Sequence, residues 1–301
     1  MPHKTARSAK TDIYSKVTNE IISAIETGAA DFAMPWHKQA HAGLPRNPLT
    51  KKPYQGINAL TLWVTGWKQG FASSYWATYK QWKELGAQVR QGESGATVLF
   101  YKREEVEAET EETEDRSRVV LRYSYVFNAD QVDSWTVTET APEANHIKYA
   151  KAVSFINALG SDIKYGSDTA YYSPSLDRIF MPDQSVFRDT NSGVAVDGYY
   201  AVLFHEHIHW SGHKSRLNRD LSGRFGSSAY ALEELVAELG AAFLCATLGI
   251  NTHPRPDHAG YVASWLKVLK EHKTAIFVAA KAASVANMYL ESLVKGDKYQ
   301  E

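Results

Sequence analysis

His205-Glu206-His207-Ile208-His209 sets two imidazoles four residues apart, with a carboxylate beside the first. On a helix, side chains at i and i+4 leave one face with Cβ atoms roughly 5–6 Å apart. Two rings at that spacing can hold one tetrahedral cation, and Glu206 can reach a water there as general base. The chemistry this predicts is peptide-bond hydrolysis. The cation lowers the pKa of water toward roughly 7 and polarises a carbonyl, while Glu206 carries the proton to the leaving amine. Zinc is the default ion. A mixed histidine and carboxylate donor set also suits manganese, cobalt or another divalent transition metal.

The elements that must position these groups can be read outward from the motif. Tyr199 to Phe204 leads in without Gly or Pro, and Gly212 supplies a stop after the second histidine, so the motif sits on a helix. A catalytic zinc site needs a third protein ligand. The extended pattern HExxHxxGxxH has its glycine at Gly212, but the position of its last histidine is Ser215. Downstream, Ala229 to Ala246 reads as a second helix, with Leu232, Leu235, Val236, Leu239 and Phe243 on one stripe. Glu234 and Glu238 lie opposite, among Ala237, Ala241 and Ala242, so this helix is predicted to be buried nearly all round. A carboxylate in such a place needs a cationic or hydrogen-bonding partner. Glu234 is therefore assigned as third ligand and Glu238 as the acceptor that orients a ligating histidine. Glu233, about 100° away around the helix, is expected to be solvated. His213 is a further candidate ligand. Upstream, Thr169 to Met181 reads as a hairpin, and residues 178–181 are the candidate edge strand for an extended substrate.

Composition sets outer bounds. Cys245 is the single cysteine, which excludes an internal disulfide and suits a reducing cytoplasm. The basic stretch Met1 to Lys10 is followed by no apolar run, as a signal peptide would require. Leu239 to Ile250 is too short to span a bilayer. The expectation is a cytoplasmic protein with no membrane partner.

The net charge of −1 hides an uneven distribution. Residues 1–100 carry twelve Lys/Arg against six Asp/Glu, whereas eight of the twelve residues Glu104 to Asp115 are acidic. That acidic block is expected to be a solvated, disordered loop joining two strands, Thr97 to Lys102 and Val119 to Phe127. Within the basic region, aromatic residues interleave with cations, the combination that single-strand nucleic-acid binding requires. Trp63 and Trp67 share helical spacing with Leu60 and Phe71 and read as core. Tyr54, Trp76 and Tyr79 have polar or basic surroundings and are the stacking candidates. Arg46, Lys51, Lys52 and Lys80 are the phosphate candidates.

Ile13, Val17, Ile21 and Ile25 make an opening amphipathic helix that Gly28 ends. The fold class is α+β. A small α+β unit covers residues 1–135, residues 136–145 form a linker with Pro142, and a helix-rich unit covers residues 146–301. Two long helices, Tyr261 to His272 and Lys273 to Leu293, close the chain.

Asp12-Ile13-Tyr14, Pro35-Trp36, Gly43 to Asn47, Pro53 to Asn58, Val126-Phe127-Asn128, His205 to His209 and His258 to Leu266 together resemble the ArdC-type antirestriction proteins of conjugative plasmids. The resemblance spans nearly the full length. It implies a single-stranded-DNA-binding N-terminal domain, similar to that of the plasmid primase TraC, joined to a zincin-like metallopeptidase domain. It also implies a role in protecting incoming DNA from host restriction during conjugation. The family's metal ligands fall on His205, His209 and a glutamate of the second helix, with Glu206 as base. The implied partners are single-stranded DNA, with double-stranded DNA as a further ligand, and a protein substrate such as a restriction component. The alternative is a DNA-binding shield whose metal is structural. A general base between two structural ligands would then have no use, which favours the peptidase.

Overall fold

The computed structural model describes residues 5–29, 34–40, 42–106, 116–136, 144–190, 193–224, 226–252 and 258–296. The opening helix α1 (Thr5–Ala29) turns Val17, Ile21 and Ile25 inward. In α2 (Pro35–Ala40) proline takes the first helical position, where a missing N–H costs nothing. Then follow α3 (Gly56–Gln69), β1 (Trp76–Ala77), α4 (Tyr79–Glu84), β2 (Gln88–Val89), β3 (Ala96–Val106), β4 (Arg116–Asn128) and β5 (Val132–Asp133). Thr78 and Gln81 form a reciprocal capping box that starts α4. The second half runs α5 (Asn145–Leu159), β6 (Asp162–Tyr165), β7 (Tyr171–Ser173), β8 (Arg178–Met181), α6 (Ala195–Ser211), α7 (Ser228–Leu248), α8 (His258–Glu271) and α9 (Ala275–Lys295). The fold is α+β, with small sheets set against a helical body. Among the described residues no helix is long and apolar enough to cross a membrane.

The β3–β4 pairing is antiparallel and runs from Ala96↔Val126 to Val106↔Arg116, further than the strands read from sequence. Most of the acidic run, residues 107–115, lies outside the described residues, as do residues 137–143 of the expected linker. The second-half sheet has the order β6-β8-β7, with β8 parallel to β6 and antiparallel to β7. The hairpin exists, but residues 178–181 are its central strand and not the edge. The two edge strands are β6 and β7. The polar, mostly exposed β6 that occupies the other side of β8 has no apolar alternation to announce it.

One apolar core collects side chains from both halves. Ile21, Trp36, Leu60 and Trp63 pack in the same cluster as Phe204, Leu239, Phe243, Trp265 and Ile276. The Trp63 ring lies 5.3 Å from that of Phe243. Each such burial contributes roughly 1.5–3 kcal/mol, so the helices of the first hundred residues are stabilised by those of the last hundred. A second cluster around Trp82, Val89 and Val132, and a third around Leu62, Trp76, Val98 and Val126, sit under the small sheets.

Helices α6 and α7 are in tight contact at Gly240. A Cβ there would stand 2.8 Å from Cγ1 and Cδ1 of the fully buried Ile208. The missing side chain lets α7 bring its glutamates up to the His205–His209 face. Gly240→Ala is expected to destabilise the protein by about 1–3 kcal/mol through overpacking. Ile208→Val should recover part of that loss in the double variant, measured by urea unfolding. Full additivity of the two changes would show that the helices do not meet there.

Candidate metal centre

On α6, His205 and His209 present their Nε2 atoms to one point, 3.2 Å apart. Glu234, from α7, completes the group. Its Oε2 lies 3.5 Å from His205 Nε2 and its Oε1 3.5 Å from His209 Nε2. One ligand atom from each of His205, His209 and Glu234 falls within 4.8 Å of the others. Ligands at about 2.0–2.1 Å in a tetrahedron stand about 3.3 Å from one another, so the spacing fits one divalent cation. Glu206 is buried beside these groups and lines the same cleft of about 410 Å³. Tyr171 and Tyr172 of the edge strand β7 line it too, with Tyr230 and Tyr261 on the α7–α8 side.

The electrostatics suit a cation. Burial opposes charge on Glu234, yet hydrogen bonds from His205 and His209 outweigh it and hold the carboxyl far below its ordinary range. Burial likewise disfavours a charged His209, but Glu233 and Glu234 overcome it and push the imidazole up to about 10. His207, pointing away, accepts no such help. Burial pushes it down to about 4, and it stays neutral with Nδ1 on Leu203 O at 2.8 Å and Nε2 on Ser161 Oγ at 2.9 Å.

Behind the ligand atoms, each ring faces a second carboxylate. Glu233, expected in solvent, instead lies against α6, with Oε1 3.1 Å from His209 Nδ1. Arg219 donates to both its oxygens, Nη2 to Oε1 at 2.8 Å and Nε to Oε2 at 3.1 Å. The expectation fails because α7 is packed so deeply that a 100° turn from Glu234 still meets protein. Arg219 also donates to Ile208 O at 2.6 Å and Ser211 Oγ at 3.0 Å. Gly212 leaves it room, since a Cβ there would stand 2.8 Å from Arg219 Nη2. Glu238 Oε2 lies 3.8 Å from His205 Nδ1, while its Oε1 accepts from His37 Nε2 at 2.6 Å and Trp36 Nε1 at 3.3 Å. Nothing in sequence periodicity announces Arg219 or His37 at this site. His213 is not in the group; its Nδ1 meets Ser215 Oγ at 2.8 Å, near Asp177. Arg216, stacked 3.9 Å over the Trp210 ring, bonds Asp177 in the β7–β8 turn and so fastens the edge strand to the end of α6.

The expected nucleic-acid residues divide. Asn47 Nδ2 donates to Gln81 Oε1 at 3.0 Å, which sets the loop carrying Arg46, Lys51 and Lys52 beside the helix carrying Tyr79 and Lys80; all five are exposed. Tyr54 is half-buried, its hydroxyl donating to Trp76 O at 3.1 Å. Trp76 must be corrected: it is 2% exposed, packed with Leu62 and Val126 and edge-on to Phe71, so it offers no stacking face. Its polar sequence neighbours misled, because β1 is covered by cross-strand and α3 contacts. Exposed rings that the sequence reading missed stand on the β3–β4 ribbon, at Phe100, Tyr101, Tyr123 and Tyr125. The buried face of the ribbon is the opposite one, through Val98 and Val126.

A family described as the N-terminal domain of anti-restriction factor ArdC matches residues 11–127, and one described as a zincin-like metallopeptidase matches residues 150–282. The metal-free crystal structure of antirestriction protein ArdC from plasmid R388 superposes with a TM-score of 0.78 at 38% identity, covering 96% of this chain and 100% of that one. The chain belongs to the ArdC antirestriction family. The Mn(II)-bound structure of the same R388 protein matches with a TM-score of 0.72 at 37% identity, over 95% of this chain and 99% of that one. An uncharacterized protein of Sinorhizobium fredii, y4eC, is 46% identical over 92% of this chain and 91% of its own length. DNA primase TraC of Escherichia coli is 37% identical over 91% of this chain, which spans only 26% of the primase. In this ArdC-family chain, then, the cleft belongs to the zincin-like domain, whose fold implies a divalent metal. Trp36 and His37, which touch Glu238, come from the ArdC N-terminal segment.

Removing His205 or His209 by alanine is expected to abolish stoichiometric metal binding, since two donors cannot hold the ion against water. Glu234→Ala should weaken binding more than Glu233→Ala, which should cost about 10–100-fold by freeing the His209 ring. Competition with a chromophoric chelator ranks the variants. A Glu233→Ala loss larger than that of Glu234→Ala would reverse their roles.

Proposed function

We propose that this protein is an antirestriction factor of conjugating DNA, binding single-stranded DNA and carrying a metal-dependent peptidase site. The observation that carries the peptidase reading is the convergence of His205, His209 and Glu234 at the floor of an open cleft, with Glu206 beside them and a free strand edge along the rim. A divalent cation, zinc by default and manganese as the alternative, supplies polarisation of a carbonyl and acidification of water when bound at these side chains.

The residues of the chain do the rest. The β7 edge offers backbone groups to which an extended peptide adds as a further strand. Glu206 accepts the proton of the attacking water and delivers it to the departing amide nitrogen, so the C–N bond breaks to a neutral amine. Glu233 holds the His209 ring in place. A purely structural metal would need neither the open cleft nor a carboxylate between two ligands, which favours catalysis over a passive shield. The substrate is a protein, with a restriction component as the candidate that fits the role.

For DNA, the support is the exposed cluster of Arg46, Lys51, Lys52, Tyr79 and Lys80 together with the tyrosines of the β3–β4 ribbon. Ser94 to Arg103 and Arg116 to Ala129 contain Lys102, Arg103, Arg116, Arg118 and Arg122 and no carboxylate. Cations that track phosphates beside rings that stack bases give sequence-tolerant binding. Double-stranded DNA shares only the phosphate part of that chemistry.

Glu206→Gln should retain full metal occupancy and lose cleavage of a peptide library followed by mass spectrometry, because an amide accepts no proton. Equal cleavage by this variant would remove Glu206 from the reaction. On a fluorescein-labelled single-stranded oligonucleotide, the full chain should bind with log K falling linearly against log salt. Lys51→Ala with Lys52→Ala should flatten that slope by about 0.7 per lost contact. Tyr123→Ala and Tyr125→Ala should weaken binding by about 1–3 kcal/mol per stack with little change of slope. Trp76→Ala should instead lower the melting temperature. Unchanged affinity in the tyrosine variants would leave the ribbon outside the DNA path.

A further inference from the structure

We propose that His37 is a positioning residue of the metal centre, acting through Glu238 on the ring of His205. The inference rests on the reading of His205, His209 and Glu234 as metal ligands and adds a residue from the opposite end of the chain. His37 sits on α2, and its Nε2 lies 2.6 Å from Glu238 Oε1. The backbone N–H of Met34 donates to His37 Nδ1 at 3.2 Å, which makes Nδ1 the acceptor and leaves Nε2–H to donate to the carboxylate. Thr252 Oγ1 donates to His37 O at 2.9 Å, so the loop beyond α7 clamps the backbone of α2. Trp36 Nε1 adds a second donor to the same glutamate oxygen at 3.3 Å.

Glu238 is thus anchored at one oxygen, while the other faces His205 Nδ1 at 3.8 Å. His37, Glu238 and His205 are all buried, at 3%, 5% and 4% exposure, so solvent does not screen the arrangement. A carboxylate facing Nδ1 favours the proton on that nitrogen. At 3.8 Å this is an electrostatic contact and not a hydrogen bond, and its effect is on the tautomer, which turns the Nε2 lone pair toward the cation. The anchor at Oε1 is what keeps the other carboxylate oxygen directed at His205. His37 supplies the anchor from outside the zincin-like segment.

The test uses the full-length protein with Zn(II) in chelator competition and Co(II) in visible absorption. His37→Ala is expected to weaken Zn(II) binding about 10–100-fold and to shift the Co(II) bands, while the circular dichroism stays native. His37→Gln, whose amide N–H can still reach Glu238, should restore most of the affinity and the wild-type spectrum. The double variant His37→Ala with Glu238→Gln should bind no more weakly than Glu238→Gln alone, since one chain of contacts is broken in both. Wild-type affinity and spectrum in His37→Ala, or losses that add in the double variant, overturn the proposal. If His37→Ala fails to fold, a folded Glu238→Gln with wild-type affinity overturns it equally. Wild-type protein that binds neither ion overturns the metal reading itself, a result distinct from the failure of His37 alone.

Discussion

Burial of three glutamates on one helix is the constraint around which this molecule is arranged. Glu233, Glu234 and Glu238 all lie on α7, and packing encloses that helix from α6, α2, α8 and α9. An ionised carboxylate without partners in such a setting costs several kcal/mol, so each must find donors. Glu234 finds the two Nε2 atoms, Glu233 finds His209 Nδ1 and Arg219, and Glu238 finds Trp36 and His37. The tight α6–α7 crossing at Gly240, the Arg219 loop and the seating of α2 all serve those three needs.

What could be read from sequence and what could not follows from how local each interaction is. His205, Glu206 and His209 were legible because their geometry is fixed within one helical turn. The phase of Glu234 was legible because the apolar stripe of its own helix defines the opposite side. Glu233 was misread by the same logic, since helix phase says which residues share a face but not what covers the other faces. His37 and Arg219 reach the site through tertiary packing, and no spacing rule connects them to it. Residues 178–181 were misread as an edge strand because β6 pairs in parallel from a polar segment, leaving β8 central. Trp76 was misread because a two-residue strand carries no periodicity, and its burial comes from β4 and α3.

The shared core has a functional consequence. Regions matched separately as an N-terminal ArdC domain and a zincin-like peptidase do not each own a complete interior. Trp63 rests on Phe243, one turn beyond Leu239 and close to the glutamates of α7. Packing of α2 and α3 thus bears directly on the helix that carries Glu233, Glu234 and Glu238. The loop after α2 and the ribbon after α3, which carry the exposed cations and rings, stand on the same helices.

The two imidazoles are supported in chemically different ways, and the difference bears on charge. Arg219 pairs with Glu233 through both oxygens, so His209 faces a nearly neutral pair. Glu238 is held instead by the His37 ring, whose Nδ1 accepts from Met34 N–H, and by the indole of Trp36. Four carboxyl groups, Glu206, Glu233, Glu234 and Glu238, gather around the two histidines with one guanidinium, Arg219, beside Glu233, an excess of acceptors that suits a cation.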